Sequence, residues 1–300
     1  MKAPCIRSIL FVPADSERKI EKSASSGADA VVLDLEDSVA QSRLGYARDL
    51  VMRYLSSSSD RRKQKLWVRV NPLNSPFILE DLAAVVRSAP DALMLPKCSG
   101  GADVKILDHY LTILEQRDGL APGRIGIVPV ATETPEAIFG LQSYRGCSQR
   151  LLAMTWGAED LSSAVGATTN KENDGSLAFT YQLARTLCLL SARSAQVLPI
   201  DGICADFRNN GVLQAEVAQA RRDGFGAKFA IHPSQVAPIN EGFLPNDTEV
   251  EYARAVIKAF DEPREQGAVQ LEGMMLDKPH LLQAQQILAI FEAHQPRRDR

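Results

Sequence analysis

Residues 27–39 read Gly-Ala-Asp-Ala-Val-Val-Leu-Asp-Leu-Glu-Asp-Ser-Val: a short unbroken apolar run, Val31-Val32-Leu33, stopping in a cluster of acids, Asp34, Glu36 and Asp37. A strand with one wet face alternates apolar and polar residues, whereas a strand covered on both faces is continuously apolar, as here. Runs of the same kind recur at Ile9–Val12, Leu66–Val68, Leu93–Leu95, Ile125–Val128, Leu151–Met154, Val197–Ile200 and Lys228–Ile231, with helix-period stretches between them. Eight such units in series predict an α/β chain folded as a (β/α)8 TIM barrel.

At 300 residues and 45% apolar content the chain can bury a large core. No Gly/Ser-rich linker divides its first 235 residues, the Ser56–Ser59 run reading as a helix-to-strand loop, and there is no internal repeat or low-complexity segment. The expected division is a catalytic barrel over 1–245 and a short C-terminal helical extension over 246–300. The extension carries a polar helix, Thr248–Phe260, a Gly/Glu-rich segment, Gly267–Gly273, and a last helix from Pro279. It is too short to fold alone, so it is expected to pack on the barrel or on a neighbouring subunit.

A net charge of -3, with basic runs only at Arg61-Arg62-Lys63 and Arg297-Arg298, argues against a nucleic-acid face. The five cysteines (Cys5, Cys98, Cys147, Cys188 and Cys204) are odd in number and scattered without a CxxC pair, which reads as reduced thiols. The apolar run near the N-terminus is far shorter than the ~20 residues of a membrane span and lacks a cleavage pattern. A cytoplasmic protein without membrane contact is expected.

In a barrel, chemistry collects where strands end, and the strand ends here are polar. They read Asp34-Leu35-Glu36-Asp37, Arg69-Val70-Asn71-Pro72, Pro96-Lys97, Thr132-Glu133-Thr134-Pro135 and Gly157-Ala158-Glu159-Asp160. Any single acid among them also suits a helix N-cap or first turn. Glu133 and Asp160, however, end successive strands, so both carboxylates are expected at the barrel mouth, close enough to share a cation. Few oxygen ligands, with room left for water and substrate, suit Mg²⁺, and the four histidines (His109, His232, His280 and His294) are too dispersed for a zinc site.

Arg69, directly after a buried run, needs a carboxylate or a substrate anion. It reads either as an ion pair to Glu36 or Asp37 or as a clamp for a keto-acid carboxylate. Glu36 and Asp37 are expected to support metal-bound water or Arg69 from behind rather than to ligate directly. Cys98 has no histidine partner in view, His232 before Pro233 suits a structural loop, and neither a nucleotide-type Gly-rich loop nor a GxSxG elbow is present.

Taken together, these stretches resemble the citrate lyase beta-subunit and malyl-CoA lyase family, HpcH/HpaI aldolase-type barrels of the pyruvate/phosphoenolpyruvate-binding kind. The likeness is carried by residues 7–13 (Arg-Ser-Ile-Leu-Phe-Val-Pro), 27–39, Val68-Arg69-Val70-Asn71, Leu95-Pro96-Lys97, Glu133-Thr134, Trp156–Leu161, Ile200-Asp201-Gly202, Ala230–Gln235 and Gly273–His280. The resemblance implies a Mg²⁺-dependent carbon–carbon lyase that cleaves or forms a 3-hydroxyacyl-CoA, such as malyl-CoA, citramalyl-CoA or citryl-CoA. The products would be a 2-keto acid and an acetyl-type thioester. By the same likeness Glu133 and Asp160 match the metal ligands, and Arg69 matches the arginine at the keto-acid end. Asp277 matches a tail aspartate that reaches an adjacent protomer's site and moves the proton at the acetyl carbon. As a bland alternative, Asp277 caps the helix that follows it.

Phe11, Lys22, His232 and Pro233 match parts of the coenzyme A site. Some relatives carry arginine where Ser16 stands, and Arg18 is not its match. Amides at the Gly157-Ala158-Glu159 turn are expected to help hold a carboxylate. The resemblance further implies a homo-oligomer, trimer or hexamer. Three alternatives stay open: a citrate lyase beta subunit acting on a carrier-protein thioester, an aldolase using free pyruvate, and a non-catalytic acyl-CoA-binding barrel.

Overall fold

Strands β1 (Ser8–Pro13), β2 (Ala30–Asp34), β3 (Lys65–Arg69), β4 (Ala92–Leu95), β5 (Gly126–Pro129), β6 (Ala153–Thr155), β7 (Leu198–Asp201) and β8 (Ala227–Ala230) form one parallel sheet. In this computed structural model the sheet order is β5-β4-β3-β2-β1-β8-β7-β6, and β5 meets β6 through parallel bridges at Ile127–Leu151 and Val130–Thr155, which bring the sheet round into a barrel. The described residues are 6–58, 60–61, 63–261 and 268–294; Cys5, Ser59, Arg62, Gly267, Arg297 and Arg298 lie outside them. Each strand runs within a few residues of its expected span.

Helices α1 (Glu17–Ser23), α2 (Leu44–Ser57), α3 (Ile78–Val85), α4 (Gly101–Arg117), α5 (Pro135–Gly140), α6 (Glu159–Ala164), α7 (Phe179–Ser194) and α8 (Asn210–Asp223) connect the strands. They cover the outer sheet face, which is why Val31, Leu33, Leu93, Leu95 and Ile127 are as buried as the inward-facing residues. The barrel interior is filled by the alternate residues of each strand: Ile9 and Phe11, Ala30 and Val32, Trp67, Ala92 and Met94, Val128, Ala153, Ile200, Ala227 and Phe229. The same parity carries Asp34 and Arg69 to the inner rim.

Two compact units are distinguished, Ile6–Asn240 and a second beginning at Glu241. After α9 (Val236–Gly242), the second unit contains α10 (Asp247–Asp261), an antiparallel pair β9 (Val269–Leu271) and β10 (Met274–Leu276), and α11 (Lys278–His294). Ala253, Val256, Val269, Leu276 and Ala284 form its own apolar core. Val269–Leu276, overlapping the Gly/Glu-rich segment, thus form a hairpin that sequence reading did not anticipate. Glu272 and Gly273 between its strands take φ of 49° and 80°, the left-handed pair that a two-residue turn requires.

One buried network fixes the loops after β2 and β3. Asp81, fully buried on α3, accepts from the Asn71 amide and Nδ2 through one oxygen and from Arg48 Nε through the other, each at 2.8 Å. Asn71 Nδ2 also reaches the Leu35 carbonyl at 3.1 Å. Asp81→Ala leaves Arg48 Nε and the buried Asn71 amide without their acceptor while Glu80 and the Phe77 carbonyl keep the other Arg48 nitrogens, so urea denaturation should report a loss of ~1–3 kcal/mol, with the loop carrying Glu36 loosened in step.

Candidate active site

In the β2–β3 register Asp34 lies directly opposite Arg69. Arg69 grips it with a fork: Nε to Oδ1 at 2.7 Å and Nη2 to Oδ2 at 2.8 Å. Burial alone would raise the Asp34 pKa, but Arg69, together with hydrogen bonds from Ser38 and Glu36, more than offsets it and holds the carboxyl below the usual range. Arg69 Nη1 lies 3.0 Å from Glu36 Oε2, without hydrogen-bond alignment, and 3.8 Å from Asp37. The guanidinium stands 5.1 Å over the Phe11 ring. Sequence reading offered Glu36 or Asp37 as its partner; the principal partner is Asp34, because strand parity points both side chains inward from adjacent strands.

Lys97, just past β4, addresses the opposite side of the cluster twice. Its backbone, in the left-handed region at φ 51°, aims its amide at Glu133 Oε2. Its ammonium contacts Glu36 Oε1 and lies 3.7 Å from Asp37 and 3.5 Å from Asp160, which sits in the first turn of α6. Burial raises the Glu36 pKa despite Arg69 and Lys97. At Glu133 burial is again the largest cause; the charges of Asp160 and Glu36 add to it against the Lys97 amide, and the carboxyl is pushed up to about 8.

The Gly157 turn is built close against Glu133. A Cβ on Gly157 would lie 3.2 Å from Glu133 Cγ, so a side chain there would crowd the carboxylate. The Gly157 amide donates to Thr132 Oγ1 at 3.1 Å, and the amides of Ala158 and Glu159 follow it in the same turn. The Glu159 carboxylate accepts from Asn170 Nδ2 at 2.9 Å. Behind the turn, Trp156 Nε1 donates to Asp201 Oδ1 at 2.8 Å, and that buried aspartate is also held by Arg185 at 2.8 Å and Lys228 at 3.1 Å.

These residues fit a divalent cation bound through few protein ligands. Among the described residues no three acidic, cysteine or histidine side chains converge into a complete metal cage. Glu133 and Asp160 instead offer two carboxylates whose mutual repulsion helps hold a proton on Glu133, a strain that a cation relieves. Oxygen-only ligation with coordination positions left for water and substrate is the habit of Mg²⁺.

The remaining expected site residues have their own surroundings. Phe11 packs inside the barrel 4.8 Å from Phe229, Lys22 is exposed in the last turn of α1, and His232 caps the Pro233–Gln235 turn. The His232 ring lies 2.7 Å from Ser234 Oγ and stacks 4.9 Å from Phe207. Asp277, in the second compact unit, immediately precedes α11. Its carbonyl accepts from the amides of His280 and Leu281, and its exposed carboxylate meets the His280 ring at 2.6 Å. Sequence reading gave no role to Asp34, Lys97 or Thr132, although each stands at a quoted strand end; inward parity carried one step past each strand's core residues was the signal for Asp34.

Residues 7–233 match the family model described as HpcH/HpaI aldolase/citrate lyase. A (3S)-malyl-CoA thioesterase of Cereibacter sphaeroides is 32% identical over 290 residues, covering 96% of this chain and 95% of that protein. An L-malyl-CoA/beta-methylmalyl-CoA lyase of Cereibacter sphaeroides is 33% identical over 298 residues, covering 93% of this chain and 92% of the relative. The crystal structure of protein CitE from Mycobacterium tuberculosis, in complex with magnesium, acetoacetate and coenzyme A, superposes with a TM-score of 0.81 at 28% identity, over 97% of this chain and 99% of that one.

The protonation of Glu133 has a measurable sign. Its folded-state value, about 8, exceeds the ordinary 4.5, so with EDTA present it favours the folded protein fully below the ordinary value and loses that contribution as pH rises through about 8. The melting temperature in EDTA should therefore fall by several degrees from about pH 6 to about pH 9, and Glu133→Gln should flatten that fall.

Proposed function

The chain belongs to the HpcH/HpaI aldolase/citrate lyase family, and from that premise we propose that it is a Mg²⁺-dependent carbon–carbon lyase. It cleaves or forms a 3-hydroxyacyl-CoA of the malyl-CoA, citramalyl-CoA or citryl-CoA type, giving a 2-keto acid and an acetyl-type thioester. The observation that carries this reading is the rim where Arg69, Lys97, Glu36, Glu133 and Asp160 meet. A strongly anionic cluster tied to an arginine suits a small dianionic or keto-acid substrate bound together with a cation.

Glu133 and Asp160 would hold Mg²⁺, which when bound would polarise the keto or hydroxy acid. Asp34, by occupying Nε and one side of the Arg69 fork, fixes the guanidinium in one plane. The N–H groups of Arg69 not engaged by Asp34 then face the substrate oxygen and stabilise the charge that develops on it. Glu36 and Asp37 support Arg69 and Lys97 from behind rather than touching substrate. The Ala158 and Glu159 amides assist at the substrate carboxylate.

Asp277 exchanges the proton at the acetyl carbon, taking it in condensation and returning it in cleavage. It does so in an adjacent protomer, which makes the protein a homo-oligomer, trimer or hexamer, with 1–245 as catalytic domain and 246–300 as the extension that reaches a neighbour. Phe11, Lys22, His232 and Pro233 bind the coenzyme A portion. A cytoplasmic location agrees with scattered reduced thiols; among the described residues no helix is long and apolar enough to cross a membrane.

The test is purified protein with Mg²⁺ against malyl-CoA, β-methylmalyl-CoA, citramalyl-CoA and citryl-CoA, with released keto acid and free thiol followed separately. Keto-acid release abolished by EDTA is the expected result. Free thiol without keto acid would assign thioester hydrolysis instead, the activity for which the Cereibacter sphaeroides thioesterase is named. No turnover of any ester would point to a carrier-protein thioester or a binding role. Arg69→Lys keeps the charge but loses the fork, and kcat should drop by ~100-fold or more. Asp277→Asn should lose turnover while its affinity for coenzyme A stays within about two-fold, since the residue acts in proton transfer rather than in thioester binding.

A further inference from the structure

Lys97 is assigned no chemical step above, yet its ammonium sits in the middle of the acidic cluster. Its ammonium bridges carboxylates from two separate strand ends, Glu36 and Asp37 after β2 and Asp160 on α6, while its own amide holds Glu133. The backbone sits at φ 51°, where a side chain carries a conformational cost that glycine avoids. A lysine kept there needs a reason that glycine would not satisfy. The local charge balance supplies one: among the described residues Asp34, Glu36, Asp37 and Asp160 lie beside the two cations Arg69 and Lys97, and Arg69 spends its fork on Asp34.

We propose that Lys97 is a built-in counter-cation of this rim that competes with the divalent cation for Asp160, so that its side chain weakens metal binding while stabilising the cluster. The proposal rests on the magnesium reading of Glu133 and Asp160. A cation ligated by Asp160 and an ammonium 3.5 Å from the same carboxylate repel each other. Binding therefore requires the ammonium to turn toward Glu36 and Asp37, which already flank it. Lys97 is thus a positioning residue whose work is done on the metal equilibrium, not on the substrate.

The experiment is calorimetric titration of Mg²⁺ into wild type, Lys97→Met and Lys97→Arg at one ionic strength, with melting temperatures in EDTA. Lys97→Gly serves as a second neutral variant that relieves the left-handed backbone, so the test stays readable if the methionine variant folds poorly. The expected result is a Kd for Mg²⁺ lower by about ten-fold or more, ~1.4 kcal/mol, in both neutral variants. Lys97→Arg should stay near wild type, and Lys97→Met should melt lower than wild type in EDTA. Wild type that binds Mg²⁺ while both neutral variants bind it equally or more weakly overturns the counter-cation and leaves the metal site standing. Wild type that takes up no Mg²⁺ overturns the site reading and this proposal with it.

Discussion

Asp34 and Arg69 meet as a two-pronged ion pair because β2 and β3 are neighbours in register and both residues fall on the inward parity. Much of the rim depends on that pair. A buried guanidinium without it would be expensive, and a rim containing Glu36, Asp37, Glu133 and Asp160 without Arg69 would repel itself. With the fork in place, Arg69 has a fixed plane and Glu36 a nearby positive charge. Lys97 then supplies the second cation, and the remaining negative charge is what a divalent ion answers.

The supporting layers keep that arrangement rigid. Asp81 ties Asn71 and Arg48 together and through Asn71 holds the Leu35 carbonyl, which fixes the backbone beside Glu36. On the other side of the barrel, Asp201 gathers Trp156, Arg185 and Lys228 and so backs the turn that ends at Asp160. Both networks are buried and hydrogen-bonded, the condition under which interior charges are tolerated. They place the loops at the mouth on the stiff part of the barrel, which is what a site built from several converging charged side chains requires.

Much of this was legible in the chain. The continuous apolar runs marked all eight strands because parallel strands covered by helices need apolar side chains on both faces. Acids closing successive strands pointed to the mouth, and Glu133 and Asp160 do share Lys97 as a neighbour there. Asp34 was missed as the partner of Arg69 because the charges nearest the loop, Glu36 and Asp37, drew the pairing, whereas parity decides which acid faces inward. The hairpin at Val269–Leu276 was missed because its strands are very short and its turn begins with Glu272, a residue with no turn preference.

By itself the sequence determined the fold class, the order of its elements and the chemical character of every strand end, since these follow from local burial pattern and residue type. Only the tertiary structure decided which charges meet. The Asp34–Arg69 fork joins residues 35 positions apart in the chain, the two engagements of Lys97 join residues 61 and 36 apart, and the Gly157 amide meets Thr132 across 25. Their pairing depends on strand register and side-chain direction, which arise only when the barrel closes and neighbouring strands come within hydrogen-bonding distance.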